Sequence, residues 1–179
     1  QAQKWSEQGK LPDLSHLQQH KVWLLSGTLD TKVLGQVNDA LFEQYQQWVK
    51  PENIHYVNDK PFAHLFPTLN SGTTCDVSSA PFIGHCDYDA AGEMLNFMSA
   101  DLSPRSAHPQ GQLLEIDQHL LGGESASTLA DTGYVYVPQA CDQGEACTVH
   151  VSFHGCNQNA AAVGDDYATQ TGLNNWADT

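Results

Sequence analysis

Apolar positions fall into short runs punctuated by Gly, Pro and Ser, and their period changes along the chain. Val22–Leu25 is a continuous apolar run, and Ile54–Val57 sets three apolar residues around one His; both read as strands. Between them, apolar residues at 33, 34, 37, 40, 41, 45, 48 and 49 keep a helical period, which Pro51 ends. A second helix is predicted over 87–98, with Tyr88, Ala91, Met94, Leu95 and Met98 on one face and Asp87 or Asp89 placed to cap its start. Residues 113–116 read as a short strand. Segments 134–137 and 148–153 read as an antiparallel pair joined by a hairpin tip between Cys141 and Cys147. Residues 159–177 read as helix with a break near Gly172, and 1–9 as the tail of a helix closed by Gly. The remainder reads as connection: 14–20, a long loop over 58–86, a Pro/Ser/Gly/Gln-rich stretch over 101–112, and a surface loop over 122–132. Strands alternating with helices predict an α/β fold with a mostly parallel sheet flanked by helices.

At 179 residues the chain amounts to one domain and is long enough to bury a core. Its 21 acidic residues against 7 basic give a net charge of −14, spread along the chain, which argues against nucleic acid as a partner. It has no apolar run of about 18 residues, so no membrane insertion is expected. Cys75 and Cys86 close a short loop, and Cys141 and Cys147 flank Asp-Gln-Gly-Glu-Ala. Both spacings suit local disulfides and therefore a secreted, or periplasmic, protein. Cys156 is left without a partner in this scheme. Zinc wants closer pairs such as C-x₂-C, and H-E-x-x-H is absent, so no metal and no cofactor is expected.

The chemistry is concentrated in three places. Residues 149–158, Val-His-Val-Ser-Phe-His-Gly-Cys-Asn-Gln, end an alternating apolar run in a Gly-permitted turn. The run Val22–Leu25 leads through Ser26-Gly27-Thr28-Leu29 to Asp30, an acid just past a strand's carboxyl end. His64 stands in a loop among apolar residues after Ile54–Val57, where a catalytic base is well placed. Of the other histidines, His16, His20, His55, His108 and His119 have polar surroundings. His85 adjoins Cys86, His150 lies along the predicted strand, and His154 is better suited to shaping the Gly turn. Trp5, Trp23, Trp48 and Trp176 read as core or rim residues.

The segments SGTLDTKV, AHLFPT, CDYDAAGEML, ADTGYVYVP and VSFHGCNQ, with NNWADT at 174–179, resemble the extracellular poly(3-hydroxybutyrate) depolymerases and their esterase relatives. That family consists of circularly permuted α/β-hydrolases, and the resemblance covers roughly residues 9–179. It implies a serine-type ester hydrolase acting on poly(3-hydroxybutyrate) or related short-chain polyhydroxyalkanoates. Asp30 then corresponds to the triad acid, His64 to the triad base, and the backbone N–H of Cys156 to an oxyanion-hole donor. General carboxylesterase or feruloyl-type esterase activity is the alternative; a different class of reading is a non-catalytic or binding piece.

One departure matters. The family's nucleophilic Ser lies upstream of the acid in a Gly-x-Ser-x-Gly-like elbow, and no such motif occurs here. Ser6 and Ser15 are in polar contexts, and Gly123-Glu124-Ser125-Ala126-Ser127 lacks the second Gly and a preceding strand. Residues 1–179 are therefore expected to form part of a single catalytic domain, with the elbow upstream and at least one strand downstream outside them. The expected partners are a polyester or small ester and the rest of that domain.

Overall fold

A computed structural model describes residues 1–99 and 102–178; Asp101, which begins the predicted 101–112 connector, and Thr179, which ends NNWADT, lie outside the described residues. Val22–Leu25 (β1) and Ile54–Val57 (β2) lie parallel, in register from Val22 opposite Ile54 to Leu25 opposite Val57. Helix Gly35–Tyr45 (α1) makes the crossover that parallel neighbours require. It lies inside the predicted span, and the chain beyond it turns at Pro51–Asn53.

The predicted long loop over 58–86 is structured. It contains Phe66–Thr68 (β3), Thr73–Thr74 (β4) and Ile83–His85 (β5), a parallel sheet in the order β3-β5-β4. Strands of two or three residues are too short to show a period of two. Pro67 is tolerated because β3 is an edge strand. Ile83 on the central strand has no exposed surface. At Gly72, with φ +89°, a Cβ would fall 1.9 Å from the Ile83 carbonyl oxygen, so only Gly fits. The Cys75–Cys86 disulfide joins the chain after β4 to the chain after β5, as expected.

Helix Ala90–Met98 (α2) follows, and Asp89 rather than Asp87 caps it, accepting the Gly92 N–H at 2.9 Å. Its first turn is buried: Ala90, Ala91 and Gly92 pack closely, and a Cβ on Gly92 would come within 2.6 Å of the Trp176 ring. The Trp176 indole N–H donates to Asp89 at 3.0 Å. With Val49, Val57, Phe62, Ala63 and Ile83, these residues form the core.

The second half differs from expectation in pairing. Thr132–Val137 (β7) lies antiparallel to Gln112–Asp117 (β6), with Gln112 opposite Val137 and Asp117 opposite Thr132. Residues 148–153, its predicted partner, form no strand, and Val149, Val151 and Phe153 are 82%, 64% and 85% exposed. Alternation shows that a segment can cover one face of a sheet, but it does not name the neighbour that must complete the ladder. Here β6 has that place. The predicted surface loop over 122–132 includes a helical turn at Gly123–Ala126 with Ala126 buried. The Cys141–Cys147 disulfide is present, but it ties a helical turn, Gln139–Asp142, to the chain after it instead of closing a hairpin. The predicted helix over 159–177 is three short ones, Ala160–Val163, Asp166–Gln170 and Leu173–Ala177, separated at Gly164 (φ +61°) and Gly172 (φ +83°). The result is an α/β arrangement, mostly parallel and helix-flanked.

Candidate active site

Two chain segments leave the parallel pair β1–β2 side by side. Ser26 extends the ladder by donating its N–H to the Val57 carbonyl at 2.9 Å. Thr28 then donates to Lys60 O at 2.8 Å and Leu29 to Phe62 O at 3.1 Å. Gly27 makes this approach possible, since a Cβ there would sit 2.0 Å from the Phe62 carbonyl oxygen. The outcome is that Asp30, at the end of one segment, faces His64, at the end of the other.

His64 Nδ1 lies 2.8 Å from Asp30 Oδ2. The other carboxylate oxygen, Oδ1, accepts the backbone N–H groups of Lys32 at 2.8 Å and Val33 at 2.9 Å. Burial alone pushes the Asp30 carboxyl up; the hydrogen bond from His64 and those from the Val33 and Lys32 amides outweigh it and hold the carboxyl below its usual range. Asp30 is thus ionised at neutral pH and can only accept, so His64 Nδ1 carries the proton and donates it. Nε2 is the nitrogen left to face outward. Asp30 is sheltered and His64 accessible: their side chains are 9% and 45% exposed.

The backbone around His64 is pinned on several sides. Ala63 N–H donates to Cys75 O at 2.9 Å, Ser78 Oγ donates to His64 O at 3.1 Å, and Phe66 N–H donates to Phe82 O at 2.8 Å. The Phe62 ring packs against Tyr88, with centroids 5.2 Å apart.

Cys156 lies elsewhere, on an exposed turn, with a free thiol. Gln158 N–H donates to Gly155 O at 3.2 Å, closing a turn whose third residue, Asn157, has φ +63°, the mark of a type II turn. His154 Nδ1 donates to Gly155 O at 2.9 Å, so that ring braces the turn. Among the described residues nothing accepts the Cys156 N–H, and no bond joins Cys156 to Asp30 or His64. Two side chains attach this segment to the His64 region. Gln158 reaches the Pro81 and Phe82 carbonyls at 3.0 and 3.3 Å. Tyr167 shares a hydrogen bond with Ser152 at 3.0 Å and sets its ring edge-on to Phe66. Gln158 stood inside a recognised motif but only as its last letter; nothing in the local pattern marked Tyr167.

The spacing H-x-x-x-H does occur twice, at His16/His20 and His150/His154, but among the described residues no three His, Cys, Asp or Glu side chains gather as a metal site. No helix among them is long and apolar enough to cross a membrane. A polar cavity of about 190 Å³ lined by Thr68, Asp89, Arg105 and Thr171 lies beyond the far end of β3 from His64, and its Arg105 pairs with Asp89 at 3.6 Å.

Two curated relatives match 98% of the chain. One is the poly(3-hydroxybutyrate) depolymerase of Delftia acidovorans, 38% identical over 179 residues, of which the chain covers 36%. The other is the polyhydroxybutyrate depolymerase of Talaromyces funiculosus, 34% identical over 180 residues and 52% covered. The crystal structure of the PHB depolymerase from Penicillium funiculosum superposes with a TM-score of 0.91 at 32% identity, over 99% of this chain and 56% of that one. A serine-to-alanine PHB depolymerase complexed with an R3HB trimer gives the same TM-score at 33% identity and the same coverage. The chain thus spans about half or less of the length of these relatives, and no protein-family model matches it.

Proposed function

From a chain that is a homologue of the poly(3-hydroxybutyrate) depolymerases over nearly its whole length, we propose the acid–base and oxyanion part of a secreted serine-type ester hydrolase that cleaves poly(3-hydroxybutyrate) or a related short-chain polyhydroxyalkanoate. The observation that carries this reading is the 2.8 Å contact between His64 Nδ1 and an Asp30 carboxylate whose other oxygen is already saturated. That arrangement fixes the imidazole tautomer and leaves Nε2 as a base. A relative's structure that holds an R3HB trimer supports the polyester substrate, and the two disulfides support an oxidising compartment.

The nucleophile is a serine outside residues 1–179, since they contain no Gly-x-Ser-x-Gly. His64 Nε2 takes the proton from that serine as its Oγ attacks the ester carbonyl carbon. The carbonyl π electrons move to oxygen, and the Cys156 N–H helps hold the oxyanion. Collapse expels the alkoxide, which takes the proton from His64. Water then repeats the sequence on the acyl-enzyme and releases the free acid, restoring the serine. Asp30 stays ionised throughout and stabilises the imidazolium.

The test compares residues 1–179 with the longer protein containing the elbow, using a p-nitrophenyl ester and a polyhydroxybutyrate film. The expected result is no enzymatic turnover by 1–179, turnover of both substrates by the longer protein, and its loss in His64→Ala. Turnover by 1–179 that vanishes in Ser125→Ala would move the nucleophile to Ser125. Activity on the small ester alone would point to a general esterase.

A further inference from the structure

We propose that Gln158 is the positioning residue of the oxyanion donor: its side-chain amide locks the Gly155–Asn157 turn to the 81–82 turn, so that the Cys156 N–H and His64 share one rigid frame. This rests on the acid, base and oxyanion assignments above.

The amide is used at both ends. Its oxygen accepts the Gly155 N–H at 3.0 Å, and its nitrogen donates to two successive carbonyls, Pro81 O at 3.0 Å and Phe82 O at 3.3 Å. A glutamine amide offers one acceptor and two donor hydrogens, so the three bonds occupy both groups. The Phe82 carbonyl also accepts the Phe66 N–H at 2.8 Å, and Phe66 is two residues from His64. Gln158 and the base strand therefore hang from the same carbonyl. Phe82 holds φ +59°, a conformation that a bulky side chain rarely adopts and that persists where its surroundings over-determine it.

On the other side, the bonded amide N–H is that of Gly155, one residue before the N–H in question. A Cβ on Gly155 would lie 2.8 Å from Gln158 Oε1, so the close seating of the side chain needs Gly there. The turn is closed twice, by the Gln158 N–H to Gly155 O and by the Gly155 N–H to Gln158 Oε1, with Asn157 in the left-handed region. Both closures use the atoms flanking Cys156 and leave its N–H unspent among the described residues. Residues 149–155 are exposed and carry no strand; among the described residues, the side-chain hydrogen bonds that reach from this turn to the 81–82 turn are those of Gln158.

The prediction separates positioning from general stability, because a displaced oxyanion donor weakens the transition state more than the ground state. In the longer protein, Gln158→Leu removes all three bonds, and Gln158→Glu keeps the shape and the acceptor but turns oxygen toward both carbonyls. Each should lower kcat by about 10- to 100-fold, per enzyme molecule counted by phosphonate titration, with KM within about threefold. Affinity for a trifluoromethyl ketone, which forms a tetrahedral adduct, should fall in parallel with kcat/KM. The pH midpoint of kcat/KM, set by the base, should not move. If Gln158→Leu fails to fold, Gln158→Glu alone decides. A kcat within about twofold of the parent in the folded variants, or a loss in KM alone, overturns the proposal. An active His64→Ala would instead overturn the underlying assignment and this inference with it; an inactive His64→Ala beside unaffected Gln158 variants overturns this inference only.

Discussion

Residues 22–98 and residues 112–158 are stabilised in different ways. In the first region seven apolar side chains from Val49 to Ala91 are buried, short parallel strands pair with one another, and a disulfide closes the loop that follows His64. In the second, β6 and β7 make a two-stranded ladder, while Val149, Val151 and Phe153 stand in solvent. The difference shows where the chain is self-sufficient. The Asp30–His64 pair is held by contacts that residues 22–98 make among themselves, whereas the turn carrying Cys156 is held mainly by side chains reaching across to it.

The sharpest way to break the comparison is through the acid. Asp30→Asn in the longer protein keeps an acceptor for the Lys32 and Val33 amides but no longer fixes the proton on His64 Nδ1. A tautomer error of this kind lowers kcat by about 10⁴-fold where it has been measured in such triads. A loss below about tenfold in kcat, with p-nitrophenyl butyrate as substrate, would mean that the pair is structural.

A smaller effect contrasts the two regions directly. Ile83→Ala in residues 1–179 removes a fully buried side chain from the central strand of β3-β5-β4 and should cost about 2–5 kcal/mol. Phe153→Ser in the same chain should change stability by no more than about 0.5 kcal/mol and reduce self-association. Urea midpoints and sedimentation would check both. Equal destabilisation by the two changes would show that the 148–153 segment is packed in solution.

How far the site was legible follows from the same contrast. Asp30 and His64 could be named because each follows a strand long enough to show its pattern, and because short motifs around them resemble a known family. Their contact is itself expected from the placement of both after strands in the family's order, and the 2.8 Å hydrogen bond bears it out; what the pattern does not carry is the means, since a single Gly27 gives no sign that it lets the Phe62 backbone approach. The β3-β5-β4 sheet was invisible because two- and three-residue strands have no period, and Pro67 argued against one of them. Alternation in 148–153 is stronger than in 113–116 and points to the wrong neighbour for β7, because pattern strength says nothing about adjacency. Over 159–177 the break near Gly172 is legible, but the one at Gly164 is not, because apolar spacing carries on through it where the backbone does not.

The smallest expected effect is a pH dependence that tests whether the Asp30 charge is part of the fold as well as of the chemistry. Its carboxyl is held below the usual carboxylate range, with burial opposing and the His64, Val33 and Lys32 hydrogen bonds prevailing. A group whose pKa is lowered on folding stabilises the folded state most where it is ionised in both states, above its unfolded value of about 4. That contribution fades as the pH falls from about 4 through the lower folded value, where the folded carboxyl also takes a proton. Other carboxylates titrate in the same window, so the measurable quantity is the difference in unfolding free energy between residues 1–179 and their Asp30→Asn variant. That difference should favour Asp30 at pH 5 and shrink by pH 3. A difference that stays constant from pH 5 to pH 3 would mean the carboxylate gains nothing from ionisation in the fold. One that grows from pH 5 to pH 3 would mean its pKa is raised, and the tautomer argument for His64 would lose its electrostatic basis.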